Sequence, residues 1–411
     1  MMTPAVSPLA PAAVPALPPI SGVRLATSAA GIRYTGRDDL MLAELAPGST
    51  VAGVFTRSVT AGAPVIWCRE CLTAGQIRAI VVNSGNANVF TGRAGREAVE
   101  ATAAAAARLL GCGPRQVFVS STGVIGEKLP AEKIVAALPQ AFQRLSAEGW
   151  EPAARAIMTT DTFPKGAAAS AEIDGVAVQL NGFAKGSGMI APDMATMLAY
   201  VFTDAALPHQ VLQPLLAEAA DRSFNSITVD GDTSTSDTVL LCATGQARHQ
   251  PVTRAADRRL DGFRTALGHI MIDLAQQVVR DGEGAQKFVT IDVTGAESAA
   301  AARRIGLSIG NSPLVKTALA AGDPNWGRIV MAVGKAGEKA DRDLLSIAVG
   351  GIEIVARGEP VPCYDEAPVA EHMRGRKIEI AVDLGIGSGR ATVWTCDLTH
   401  GYIDINGSYR S

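Results

Sequence analysis

The chain has 411 residues, of which 47% are hydrophobic and 19% charged, with a formal net charge of -3. That length can bury a large core in two domains or lobes, while the near-neutral balance gives no basic footprint for nucleic acid or an acidic membrane surface. Its apolar runs stop short of the roughly 18–20 residues a membrane helix needs.

Residues 1–20 are mostly Ala and Pro without Lys or Arg. Their prolines break up any apolar segment of the kind a secretory signal needs. The segment reads as a disordered tail, and a cytoplasmic location is expected. Strands are predicted over 50–55, 65–67 and 77–82, followed by a polar loop at Asn83–Asn88, which by itself reads as a turn because Asn tolerates left-handed backbone. An Ala-rich helix follows over 94–110, ending at Gly111, then a short strand over 116–120 and an amphipathic helix over 131–145. Asp174-Gly175 between strand patterns at 167–173 and 176–180 predicts a hairpin, since that pair supplies the positive φ of a tight turn. Further on, a strand-like run begins at Met197, a helix is expected over 209–223, a strand over 238–244, a long helix over 254–279 and a strand over 287–293. Two helical pieces fall between 297 and 321, and the last third returns to strands at 344–349, 352–356, 377–382, 391–396 and 402–405. Strands and helices alternate without Rossmann-type phosphate turns, so the expected fold class is an α/β (α+β) layered sandwich.

Cys68, Cys71, Cys112, Cys242, Cys363 and Cys396 are scattered. The Cys68–Cys71 spacing has no second pair or His cluster at zinc-site distance, so free thiols are expected. Asp230, Asp232 and Ser234 alternate like a calcium loop, but Thr235 stands where glycine and Leu241 where glutamate would be needed. Such an Asp-Gly-Asp turn could also hold magnesium in a phosphotransferase.

The segment Lys185-Gly-Ser-Gly-Met-Ile-Ala-Pro-Asp-Met-Ala-Thr-Met-Leu198 carries the most chemistry. A lysine and a glycine pair lead through one proline to Ala195 and Thr196, just before the run that opens at Met197. A chain cut before Thr196 would give that residue a free α-amino group with a pKa near ~7.7–8, able to deprotonate its own hydroxyl. By spacing alone, a half-buried strand threonine is the better reading of Thr196. Ser120-Ser-Thr-Gly-Val-Ile-Gly126 lies between a strand and a helix, where converging N–H groups can hold an oxyanion or merely cap a helix. Glu283 lies between two glycines after the long helix.

The lysine–threonine segment closely resembles the self-cleavage segment of the ornithine acetyltransferases (glutamate N-acetyltransferases of arginine biosynthesis). Asn83–Asn88, Thr122-Gly123, the Met158–Lys165 string, Asp230–Asp237, Asp281–Gly284, Asp323–Arg328 and the tail 394–411 extend the resemblance in order from about Ser21 to the end. Departures are Phe90 where cysteine is frequent, Ser236 in place of asparagine and Ser411 in place of threonine. The resemblance implies mixed sheets flanked by helices, as in ornithine acetyltransferases and self-processing aminopeptidases. It implies cleavage between Ala195 and Thr196, giving an α chain over 21–195 behind the tail and a β chain over 196–411. Thr196 would be the nucleophile, Thr122 and Gly123 the oxyanion hole, and Thr159, Lys185, Thr196, Glu283, Asn406 and Ser411 the substrate contacts. Thr160 is kept open beside Thr159. Acetyl would pass from N2-acetylornithine to glutamate through an acetyl-threonine. No metal or cofactor is implied, acetyl-coenzyme A stays open as a second donor, and paired chains imply an α2β2 particle. The charges suggest Glu283 for the ornithine ammonium and Lys185 for a substrate carboxylate. Rival readings are a self-processing aminopeptidase, a scaffold in which Thr196 is a plain strand residue, and, more weakly, the phosphotransferase.

Overall fold

The computed structural model describes residues 5–191 and 197–407. Its strands are β1 (Val23–Ser28), β2 (Leu40–Leu45), β3 (Thr50–Phe55), β4 (Ala79–Asn86), β5 (Val117–Val124), β6 (Lys165–Ile173), β7 (Val176–Lys185), β8 (Leu198–Thr203), β9 (Thr238–Ala243), β10 (Phe288–Ala296), β11 (Ser346–Val349), β12 (Ile352–Ala356), β13 (Glu359–Pro360), β14 (Lys377–Asp383) and β15 (Gly389–Cys396). The helices are α1 (Ala63–Leu72), α2 (Gly92–Leu110), α3 (Ala131–Gln143), α4 (Trp150–Ala156), α5 (His209–Asp221), α6 (Asp261–Arg280), α7 (Ala299–Gly310), α8 (Pro313–Ala321), α9 (Trp326–Gly334), α10 (Glu366–Arg374) and α11 (His400–Asn406).

Three mixed sheets result, in the orders β1-β2-β4-β5, β3-β9-β8-β7-β6 and β13-β12-β11-β14-β10-β15. Each contains one parallel pair (β4–β5, β8–β9 and β10–β14) among antiparallel neighbours. This is the expected layered α/β class, with helices covering the sheets. The alternation in β8 shows why the layers stack as they do. Successive side chains of a strand point to opposite faces, so Leu198, Tyr200 and Phe202 join the core shared with the first sheet, while Ala199 and Val201 join the core under α5 and α6. Trp150 of α4 meets Phe183 and Phe202 edge-on, with ring centroids 6.4 and 5.5 Å away, fastening the first layer to the second. The third sheet has its own core with α7 to α10, built on Ile291, Val293, Ile305, Ile347 and Val382.

The Asp174-Gly175 hairpin forms as expected, with positive φ at both residues (53° and 77°). Four expectations are corrected. Residues 65–67 belong to helix α1, because Gly62 and Pro64 start a helix and Val65, Trp67, Cys68 and Cys71 bury one helical face. Residues 402–405 belong to α11, started by Thr399, whose side chain accepts from the Gly401 N–H. The long helix begins only at Asp261, after a short 3-10 turn whose Asp257 side chain accepts from the Arg259 N–H. Residues 5–20 form no helix or strand, yet differ from a disordered tail: Ile20 is buried, Leu9 and Leu17 pack on the cores, and the Ser7 hydroxyl donates to the Arg280 carbonyl.

Candidate active site

Six of the expected site residues converge. Thr122, Gly123, Thr159, Lys185, Glu283 and Asn406 line one cavity of about 270 Å³. Ala195, Thr196 and Ser411 lie outside the described residues.

The cavity wall starts at the parallel pair β4–β5. The predicted strand over 116–120 runs on to Val124, so Thr122 and Gly123 sit within β5, in register with Ser84 and Gly85. Gly123 has φ 133°, and a Cβ there would overlap the Gly85 backbone, so only glycine lets the two strands close up. Asn83–Asn88 is therefore more than a turn. Asn83 to Asn86 complete β4, Ser121 donates to Asn83 Oδ1 at 2.6 Å, and of the three asparagines only Asn88, with φ 52°, has the left-handed geometry expected of them.

Lys185 ends β7 and is almost fully buried, with its Nζ donating to Thr122 Oγ1 at 3.1 Å. Burial pushes its ammonium below the usual lysine range, against the pull of Asp161. Asp161 is also buried. Its Oδ1 accepts from Lys165 Nζ at 2.6 Å and from the Gly186 N–H at 2.7 Å, and its Oδ2 accepts from the Thr159 N–H at 3.0 Å. Burial alone would raise this carboxyl, but Lys165, Lys185 and the Gly186 N–H hold it below the usual carboxylate range. Lys165 bonds a second buried carboxylate, Asp281, at 2.6 Å, and Asp281 accepts from the Thr162 N–H at 2.9 Å.

Two residues past Asp281, Glu283 lines the cavity as well. Gly188 makes room for it, since a Cβ there would collide with the Glu283 carboxyl group. Asn406 Nδ2 donates to Glu283 Oε2 at 2.7 Å, so α11 supplies the closing side chain. Burial raises the Glu283 carboxyl above the usual range, with the Asn406 and Thr160 hydrogen bonds opposing it. The Thr160 hydroxyl also bonds the Ser187 hydroxyl at 2.7 Å, which leaves Thr159 the freer of the two threonines.

Asp237 stands just before β9. It is fully buried and accepts from the Met197 N–H at 3.0 Å. Burial pushes its carboxyl well above the ordinary range. Asp230 is occupied in protein bonds, accepting from the Met189 and Ile190 N–H groups at 2.6 and 2.9 Å. Among the described residues no cluster of three or more His, Cys, Asp or Glu could hold a metal ion, and no helix is long and apolar enough to cross a membrane.

Sequence reasoning overlooked Asp161, Lys165, Asp281 and Asp237. The available signal was an opposite-charge pair four apart, Asp161 and Lys165, inside an otherwise hydroxyl-rich string. Asp281 and Asp237 carry no such local signal, since their partners lie far away in the chain or on the backbone.

A sheltered cavity that gathers hydroxyls, a buried ammonium and a buried carboxyl between layered sheets belongs to an enzyme of the α/β class. Over residues 24–411 the chain matches the ArgJ family. It is 62% identical over 406 residues to the arginine biosynthesis bifunctional protein ArgJ of Gluconobacter oxydans, covering 99% of this chain and 96% of that one. The protein of the same name from Brucella suis is 56% identical over 413 residues, covering 100% of both chains. A crystal structure of the arginine biosynthesis bifunctional protein argJ from Bacillus halodurans is 39% identical, covers 50% of this chain and 96% of that chain, and superposes with a TM-score of 0.48. The chain belongs to the ArgJ family.

Proposed function

We propose that this enzyme serves arginine biosynthesis by moving an acetyl group from N2-acetylornithine to glutamate through a covalent acetyl-Thr196, after the chain has cut itself between Ala195 and Thr196. The observation that carries the reading is the convergence of Thr122, Gly123, Thr159, Lys185, Glu283 and Asn406 on one cavity, whose wall also includes Gly188 and Met189. These positions are far apart in sequence, and a scaffold protein has no reason to bring them together.

In the cleavage step, Thr196 Oγ attacks the Ala195 carbonyl and the amide becomes an ester. Water then splits the ester, leaving a carboxyl on Ala195 and a free amine on Thr196. In the acetyl cycle that amine takes the hydroxyl proton while Oγ attacks the acetyl carbonyl. The Thr122 hydroxyl and the Gly123 N–H stabilise the oxyanion. The proton passes to the departing ornithine amine, leaving an acetyl ester on Thr196. Glutamate then enters, its amine attacks that ester, and N-acetylglutamate leaves.

Glu283 receives the side-chain ammonium of ornithine and Lys185 a substrate carboxylate, with Thr159 as a further contact. Asn406 closes the cavity from the C-terminal helix, and Ser411 is assigned as a further substrate contact. The scheme calls for no metal or cofactor, leaves acetyl-coenzyme A open as a second donor, and fits a cytoplasmic α2β2 particle.

The test is a denaturing gel with N-terminal sequencing and steady-state kinetics. Two fragments are expected, the second beginning at Thr196, and double-reciprocal plots should be parallel when both substrates are varied. Active protein that migrates as one uncut 42.4 kDa band would overturn the reading. Acetyl release that needs no glutamate would instead mark an amide hydrolase.

A further inference from the structure

We propose that Asp161 is a positioning residue of the oxyanion site, acting through Lys185 on the Thr122 hydroxyl. The inference rests on the acetyl-transfer reading and adds a residue to it.

An ammonium has only hydrogens to offer, so in the 3.1 Å bond between Lys185 Nζ and Thr122 Oγ1 the threonine oxygen is the acceptor. A hydroxyl that accepts from a cation is polarised, and its own hydrogen must point elsewhere. Thr122 lines the cavity, so that hydrogen is available to a developing anion there. The arrangement works only while Lys185 remains charged, and a buried lysine tends to lose its proton.

The charged and titratable groups facing Lys185 are Asp161 from the loop before β6, Lys165 at the start of β6, Glu283 after α6 and Asp237 before β9. Lys165 opposes the charge. Burial pushes the Glu283 and Asp237 carboxyls up, so both ionise reluctantly. Asp161 is different, because Lys165 and two backbone N–H groups fix it as an anion; Asp281 and Tyr34 also face it. One of those N–H groups belongs to Gly186, so the same carboxylate fixes the peptide that follows Lys185 and aims its side chain. Asp281 shares Lys165 with Asp161 but holds Thr162 instead of Gly186, which makes it the natural control.

The experiment measures kcat with acetylornithine and glutamate against pH, per cleaved β chain counted by mass, for the full-length protein and for Asp161→Asn and Asp281→Asn. In the unaltered enzyme an alkaline limb is expected where Lys185 loses its proton. In Asp161→Asn that limb should move down by about 1–2 pH units, the size of shift one neighbouring charge produces. In Asp281→Asn it should stay where the unaltered enzyme has it, although both substitutions disturb the same buried cluster. An unmoved limb in Asp161→Asn, an equal shift in Asp281→Asn, or no alkaline limb at all overturns the proposal. Should Asp161→Asn fail to fold, Thr122→Val decides, since the limb must disappear once the hydroxyl is gone; a limb kept at its usual pH is again fatal. If the unaltered protein transfers no acetyl group, the functional reading itself has failed and this inference falls with it.

Discussion

The cavity and the third sheet both bury lysines, and they use them in opposite ways. Around the third sheet Lys287 Nζ donates to the Leu319 and Met373 carbonyls, each at 2.6 Å, and so ties down the ends of α8 and α10. Lys316 Nζ bonds Thr395 Oγ1 at 3.0 Å and the Cys396 carbonyl. These cations are consumed by acceptors of the fold itself, three carbonyls and one hydroxyl, which is what a buried donor needs to avoid a desolvation penalty. Around the cavity, Lys165 is shared between two carboxylates, while Lys185 reaches Thr122 and still lines open space. Burial of charge therefore does not mark a site by itself. The mark is capacity left over after the protein's own partners have been counted.

The sharpest way to break this contrast is Thr196→Ala. The protein should remain a single 42.4 kDa chain and lose acetyl transfer altogether, while a thermal melt reports an intact fold. Should that variant still split, the nucleophile assignment fails. Thr122→Ala comes next: removing one oxyanion donor is typically worth ~2.7–4 kcal/mol, or about 100- to 1000-fold in kcat. Burst-phase acetylation of the β chain should slow by the same factor.

Glu283→Gln sharpens the binding half. Hydrogen bonds to charged groups contribute about 1.5–3 kcal/mol, so KM for acetylornithine should rise about 10- to 100-fold with a smaller change in kcat. The same carboxyl gives a pH signature. Because burial raises its pKa, and only the ionised form attracts an ammonium, KM should climb on the acid side at a higher pH than an ordinary glutamate would give. Flat KM across that range would remove Glu283 from the role. The smallest catalytic effect is expected at the third sheet, where Lys287→Met should lower stability by about 2 kcal/mol through the orphaned carbonyls. Its kcat per folded molecule should match the parent; a catalytic defect as large as the stability loss would erase the distinction between the two regions.

Much of the fold could be read from local chemistry. Asp174-Gly175 predicts its turn because few residue pairs tolerate two positive φ values, and Gly111 ends α2 in left-handed geometry (φ 63°) for the same reason. The two strand-for-helix errors share a cause. Val65-Ile66-Trp67 and Tyr402-Ile403-Asp404-Ile405 are rich in β-branched and aromatic residues, but the helix starts at Gly62 and Thr399 decide otherwise, joined in α1 by the buried face of Val65, Trp67, Cys68 and Cys71. At the site, resemblance supplied Thr122, Gly123, Thr159, Lys185, Glu283 and Asn406, whereas spacing alone would not have singled them out. The Asp161–Lys165–Asp281 cluster stayed hidden because its third member is 116 residues from the lysine, and only the closed fold brings β6 against the end of α6.

The strand order of the second sheet has a practical consequence for handling the protein. β3, β6 and β7 precede the proposed cut while β8 and β9 follow it, and the order β3-β9-β8-β7-β6 slots the later pair between the earlier ones. A hydrolysed Ala195–Thr196 link would thus leave two polypeptides woven into one fabric, with Ser7 and Arg280 adding a stitch from the far end. Native chromatography should return an undivided particle before and after maturation. Halves produced from separate genes should each expose raw strand edges and aggregate unless they meet during synthesis.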